Sequence, residues 1–272
     1  MGERKWWRRD EGHVPVGIDP ATPSPARMYD YFLGGKDNFP SDREAADKVK
    51  AVIPNTYDIV WENRRFLQRT VRHLAERGVR QFIDIGAGLP TQGNVHQIAQ
   101  EVIPDARVVY VDNDPIVLAH GRALLAENDT TTVVQADLRD PATILEHPEL
   151  HALIDFEQPF ALLLVAIFHF IADEYDPEGL AAAYRDVLPS GGYLTLSHLT
   201  STGADPDGVA ATEAVYQKAS SPIIFRPKDR IEGFFEGLDL IDPGLVHLYD
   251  WHPDGDEEFR TGWLYGGVAR KP

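Results

Sequence analysis

Cysteine is missing from all 272 residues. Disulfides, thiolate metal sites and cysteine nucleophiles are therefore excluded, and cysteine usage says nothing of the redox compartment. Positive charge is scarce: 26 Lys and Arg stand against 43 Asp and Glu, a formal net charge of −17. Carboxylates in that excess repel phosphate backbones, so nucleic acid is not expected on the bulk surface. Long apolar runs are absent too. Residues 160–171 come closest, but they are too short to cross a bilayer and include His169, so no membrane partner is expected. The first residues are basic and aromatic with no apolar stretch behind them. No signal peptide is expected, and the cytoplasm is the default location. No histidine–carboxylate cluster has ligand spacing, so no metal is expected.

What is present suits one generous α/β domain with an accessory segment: the chain is 43% hydrophobic. Arg4, Lys5, Arg8 and Arg9 surround Trp6 and Trp7. That tip reads either as an arm for nucleic acid or membrane or, more simply, as a mobile chain end, so residues 1–20 are set aside as a tail. Residues 21–78 read as a helical lid. A short helix from Pro25 ends at Gly34 and Gly35, and Ser41 with Glu44 reads as a capping box opening a helix toward Ile53. An amphipathic helix over 56–77 carries Ile59, Phe66, Leu67, Val71 and Leu74, with Gly78 as its stop. From 79 to 272, near-continuous apolar strands at 81–85, 107–111, 132–134, 160–165 and 193–197 alternate with helical stretches. This pattern predicts a mostly parallel sheet covered on both faces. A further helix is expected over 209–219, and the stretches 244–251 and 260–269 read as a C-terminal antiparallel hairpin.

The densest chemistry lies at Phe82-Ile-Asp-Ile-Gly-Ala-Gly-Leu-Pro-Thr. A strand runs through Asp84, turns tightly at Gly86 and Gly88, and leads to a helix expected from about Thr91. Missing side chains at the glycines let a ligand lie against the backbone. Pro90 and Thr91 stand where a dinucleotide site needs its third glycine, which a zwitterionic ligand without phosphate does not need. Asp112 ends the second strand two dozen residues on, placed to accept from ribose hydroxyls. Asn113 joins the same ligand set, while Asp114 before Pro115 reads as a helix N-cap. Asp137, at the end of the third strand and followed by Leu138, can accept from an adenine amino group or simply serve a turn. The fourth strand ends near Ala166, and ligands of open α/β sheets sit outside the carboxyl ends of strands. His169 just beyond reads as a general base or a pocket wall.

These four pieces resemble the sequential motifs of Rossmann-like, class I methyltransferases. More narrowly, Pro25-Ala-Arg-Met-Tyr-Asp-Tyr-Phe-Leu-Gly-Gly-Lys-Asp-Asn-Phe, Glu62-Asn-Arg-Arg-Phe-Leu, Asp84-Ile-Gly-Ala-Gly-Leu-Pro-Thr and Val165-Ala-Ile-Phe-His-Phe are similar to an actinobacterial family of S-adenosyl methyltransferases. The resemblance runs from about Ile18 onward. It implies a Rossmann-like sheet with an antiparallel end and S-adenosylmethionine as cofactor, but no acceptor. Arg27, Tyr29, Tyr31, Gly34, Gly35, Lys36 and Asn38 then read as a lid over the sheet's carboxyl edge, with aromatic faces for a sulfonium. The plainer alternative has the tyrosines packing their helix and Arg27 solvated. Asn63 and Arg64 read as holders of the methionine carboxylate. The expected reaction is methyl transfer to a small-molecule acceptor, with His169 the base if that acceptor is a hydroxyl. Two rivals remain: a non-catalytic S-adenosylmethionine-binding module and a nicotinamide-dependent reductase. The short-chain class of the latter is excluded, because no tyrosine has a lysine four residues on.

Overall fold

The computed structural model describes residues 18–90, 93–124, 129–255 and 259–272. The basic tip and the expected helix start at Thr91 lie outside these residues. Eight strands form one sheet: β1 (Gln81–Ile85), β2 (Arg107–Asp112), β3 (Thr131–Gln135), β4 (Ala161–Val165), β5 (Tyr193–Leu199), β6 (Asp239–Leu240), β7 (Val246–His247) and β8 (Leu264–Arg270). The order is β3-β2-β1-β4-β5-β8-β6, with β7 also on β8. The first five strands run parallel; β8 is antiparallel to β5, and β6 and β7 are antiparallel to β8. The expected parallel sheet with an antiparallel end is therefore present. The expected hairpin is shorter than its pattern: only Val246 and His247 of its first arm pair, Leu248–Asp250 coil into a 3-10 turn, and β8 starts at Leu264.

Sheet polarity follows from period-two alternation. Along β1, Phe82 joins a core with Val108, Leu163 and Val268. Ile83 and Ile85 turn the other way to meet Val109, Leu162 and Leu164. Both sides are apolar, so β1 and β4 are buried at every position, and helices must cover both faces. One cover is α3, numbered after α1 (Pro25–Phe32) and α2 (Pro40–Val52); it spans Thr56–Glu76. Its Phe66 meets Trp251 edge-on at 5.6 Å and abuts β8 at Gly266. A Cβ there would strike Leu248 and come within 2.9 Å of the Phe66 ring. Gly266→Ala is expected to destabilise by about 1–3 kcal/mol through overpacking, read by urea unfolding; an unchanged midpoint would mean that the strand shifts at no cost.

The remaining helices are α4 (Val95–Val102), α5 (Pro115–Leu124), α6 (Pro141–Leu145), α7 (Pro148–Leu153), α8 (Pro177–Asp186), α9 (Pro206–Tyr216) and α10 (Lys228–Gly233). α9 begins three residues before its expected start, where Asp205 caps it by accepting the Gly208 N–H, and it ends at Tyr216, three residues short. α4 starts at Val95 behind Asn94, later than the sequence suggests. Ser41 and Glu44 do not form the expected capping box. α2 starts at Pro40, and Asp42 instead accepts the Phe39 N–H at 2.8 Å; Ser41 donates to the Pro20 carbonyl, and Glu44 pairs with Lys48 on the surface. α1 and α2 pack with Tyr216, Ile223 and Phe225 in a separate core. The N-terminal helices are thus a layer shared with the segment after β5. Ile18 packs against Leu89, Ile116 and Val117.

Candidate functional site

The strand order reverses at β1, which has β2 on one side and β4 on the other. Connections leave that point in opposite directions, so a crevice opens at the carboxyl ends. Gly86 turns the chain there with φ +77°, a conformation that favours glycine. Any Cβ on Gly86 would also collide with the side chain of Ile167, beyond β4. Asp112, from the neighbouring strand, pins the loop: it accepts the Gly88 N–H at 2.8 Å and the Asp114 N–H at 2.9 Å.

Above this loop lies a cavity of about 420 Å³. Asp84, Gly86, Gly88, Asp112, Asn113, Asp137, Leu138 and Ala166 line it together with Asn63, Arg64, Arg27 and Tyr29. Twelve positions picked from sequence therefore converge on one space. Ile18, Asp19, Thr22 and Ser24 line it as well. Ile167, Phe170, Ile171, Ser220 and Ser221 complete the lining, and the Ser220 N–H donates to the Pro23 carbonyl at 2.8 Å.

Charge is concentrated in the floor. Burial pushes the Asp84 carboxyl up to about 7, against the pull of Arg64 and with the help of Asp112. Asp112 is pushed up to about 6 by burial, against the N–H groups of Asp114 and Gly88. Raised carboxyls favour the folded state while protonated, so that stability is present at acid pH and is lost as pH climbs through 6 and 7. Half-buried His73 and buried His198, lowered by burial to about 4 and about 3, act oppositely but only below about pH 6.5. From pH 6.5 to 8 the ligand-free protein is expected to lose stability, about 1 kcal/mol of it through Asp84. Urea titrations of Asp84→Asn should show a flatter profile; an identical slope would assign the proton elsewhere.

Asp137 is already engaged. The Arg139 Nε and backbone N–H both donate to its Oδ1 at 2.9 Å, and the Arg139 NH2 group to Oδ2 at 2.6 Å. These bonds hold its carboxyl below the usual range. Arg139 itself lines the cavity and lies 4.9 Å from the Tyr175 ring centre. Opposite, Arg27 is buried, not solvated. It donates to Asp42 at 3.0 Å and to the carbonyls of Asp19 and Thr22. Asp114 caps α5 through Oδ1, and its Oδ2 accepts the Ser24 hydroxyl at 2.8 Å, so the N-cap also fastens the strap.

Other expected lid residues lie away from the cavity. Tyr31 donates to Asp47 on the surface. Gly34, Gly35, Lys36 and Asn38 belong to a turn folded around Asp30, whose carboxylate accepts from the Asp37 N–H and the Asn38 amide. A Cβ on Gly35 would collide with that carboxylate, so this part of the motif builds the turn. His169 is not among the lining residues either. The 3-10 turn Phe168–Phe170 buries it 5.5 Å from the ring of His198, with Nδ1 unbonded and its imidazole held neutral by burial. Because residues three apart eclipse in such a turn, Ile167 and Phe170 face the cavity instead. His198 Nε2 accepts from the buried Arg226 guanidinium at 3.0 Å. Arg226 also donates to the carbonyls of Phe168 and Ile171 and to Asp173, tying the wall from behind.

Among the described residues no helix is long and apolar enough to cross a membrane, and no group of three or more acidic, His or Cys side chains is placed for a metal. Two solved structures are similar over nearly the whole chain. A DUF574 family protein from Streptomyces avermitilis is 44% identical, covering 93% of this chain and 99% of its own, with a TM-score of 0.89. A candidate methyltransferase from Thermobifida fusca is 42% identical, covering 94% and 98%, with a TM-score of 0.88. An O-methyltransferase family protein from Burkholderia thailandensis shares the fold at 13% identity, with a TM-score of 0.52 over 79% of this chain and 59% of its own. No protein of curated function matches the sequence. The family profile described as S-adenosyl methyltransferase matches residues 11–272, a span that includes the glycine turn, its acids and the N-terminal layer, and the chain belongs to that family.

Proposed function

We propose that the cavity holds S-adenosylmethionine with its adenosine over β2 and β3 and its methionine arm over β1 and α3, and that the acceptor is a small molecule. The observation that carries this orientation is the split of the cavity's polar groups. Asp112 and Asp137 end β2 and β3, while Asp84, Asn63 and Arg64 cluster beside β1. Fit is supported by the glycine turn, where Gly88 has open space around its Cα, by the acceptor oxygens of Asp112, and by the absence of any need for a phosphate cradle. Asp112 would take the ribose hydroxyls, Leu138 and Asp137 would bound the adenine, and Asn63 and Arg64 would hold the carboxylate.

When bound, S-adenosylmethionine supplies an activated methyl and its own leaving group. The protein's part is alignment and exclusion of water. Residues 18–27, fastened through Ser24 and Arg27 to Asp114 and Asp42, roof the nucleoside end. Ile167, Phe170 and Ile171 present an uncharged wall at the other end, suited to a small acceptor with an apolar body. The net charge of −17 also disfavours nucleic acid as acceptor. Incubation with methyl-labelled cofactor and a fractionated cell extract tests the reading. Label is expected in a product of the low-molecular-mass fraction; label confined to protein or nucleic acid would overturn it.

A further inference from the structure

Ala166, directly after β4, has φ +54°, a left-handed conformation that costs a residue with a Cβ roughly 1 kcal/mol or more. Its N–H donates to the Ser197 hydroxyl at 2.9 Å and lies 3.3 Å from the Ser197 carbonyl. Ser197 is fully buried on β5 and is not among the residues lining the cavity. Its hydroxyl has one proton, which goes to the Asn63 side-chain oxygen at 2.6 Å. The Asn63 amide donates in turn to the Tyr29 hydroxyl at 3.1 Å, and Tyr29 donates to the Val60 carbonyl at 3.2 Å. One relay thus joins the end of β4, β5, α3 and the lid helix α1. Three of its side chains or residues, Ala166, Asn63 and Tyr29, face the cavity, and Ser197 stands behind them as the junction.

We propose that Ser197 is a positioning residue for the amino-acid arm of the cofactor. It accepts from Ala166, holding that residue in its strained conformation, and donates to Asn63, fixing the side chain beside the methionine carboxylate. The adenosine contacts at Asp112, Asp137 and Leu138 lie on the other side of β1 and do not pass through it. The inference rests on the cofactor orientation proposed above and adds the residue that sets it. Ser197 bonds to both groups at once, so its loss loosens the β4 end and α3 together. The reach to Tyr29 also makes the lid helix part of the same arrangement.

The test separates the two ends of the ligand. S-adenosylhomocysteine carries the amino-acid arm; 5′-methylthioadenosine has the same adenosine and sulfur without it. Calorimetric titration of Ser197→Ala is expected to show S-adenosylhomocysteine weakened about tenfold and methylthioadenosine unchanged within about twofold. Tyr29→Phe, which cuts the far end of the relay and leaves the core serine in place, is expected to show the same split at smaller size and stands in if Ser197→Ala fails to fold. Parallel weakening of both ligands would make the serine a folding residue and overturn the proposal. Unchanged affinity for both would overturn it as well. Wild-type protein that binds methylthioadenosine as tightly as S-adenosylhomocysteine would instead reject the orientation on which the inference rests.

Discussion

Replacing Asp112 by alanine is expected to weaken S-adenosylhomocysteine binding roughly 100-fold, measured by calorimetry against wild type. The carboxylate has two duties in one place. It is the proposed acceptor for ribose hydroxyls, and it fixes the glycine turn through the N–H groups of Gly88 and Asp114. Hydrogen bonds to a charged group contribute about 1.5–3 kcal/mol each, and a loss of about 3 kcal/mol corresponds to two decades in affinity. Asp137→Ala should cost less, about tenfold, because Arg139 already occupies both of its oxygens and the adenine gains at most a shared acceptor. Equal losses at the two sites would mean that Arg139 moves aside on binding.

The largest effect on stability is expected at Asp42, which does not itself line the cavity but holds Arg27, which does. Asp42 is fully buried and its two oxygens accept from the Ser24 N–H, the Phe39 N–H and the Arg27 guanidinium. In Asp42→Ala, Arg27 stays buried with only backbone carbonyls and the Asp114 carboxylate, 3.8 Å away. Removing one partner of a buried ion pair costs about 3–5 kcal/mol, because the other charge is left desolvated. Urea unfolding should show that loss, together with faster proteolysis near Ser24 as the strap loses its fastening. A change below about 1 kcal/mol would mean that the guanidinium reaches water and that the N-terminal layer is held by its apolar contacts alone.

How far the sequence discloses this site depends on how local each signal is. The floor was legible because its pieces are short: a strand end, a glycine turn and an acid at the next strand end follow one another within about thirty residues, and the parallel sheet fixes their relation. Asn63, Arg64, Arg27 and Tyr29 were within reach only through the family resemblance, since nothing in their spacing brings α1 and α3 over β1. Ser24, Ser197 and Arg226 carry no local sign at all. Their roles come from partners up to 134 residues away, as with Ser197 and Asn63. His169 misled because the pattern read to the end of β4 and continued straight. The 3-10 turn that follows rotates it inward and brings out Phe170. The glycines at 34 and 35 misled for a different reason: the residues that make this block distinctive wrap the buried side of Asp30, and a turn with many constraints looks, in sequence, much like a site.

Strand boundaries behaved similarly. Where both neighbours of a strand are in place, as for β1 and β4, apolar runs matched the paired residues closely. At the sheet's far edge the pairing stops after two residues in β6 and in β7, although the apolar pattern runs on. Edge segments have one partner only, so packing beneath them, here by Leu248 and Trp251, decides the backbone instead.

The central claim is the placement of the cofactor, and a crystal structure of the protein with S-adenosylhomocysteine tests it most directly. The account predicts ribose hydroxyls on Asp112, adenine against Leu138 and Asp137, and the amino-acid arm between Asn63, Arg64 and Asp84. A ligand lying in the reverse sense, or bound outside this cavity, would contradict it.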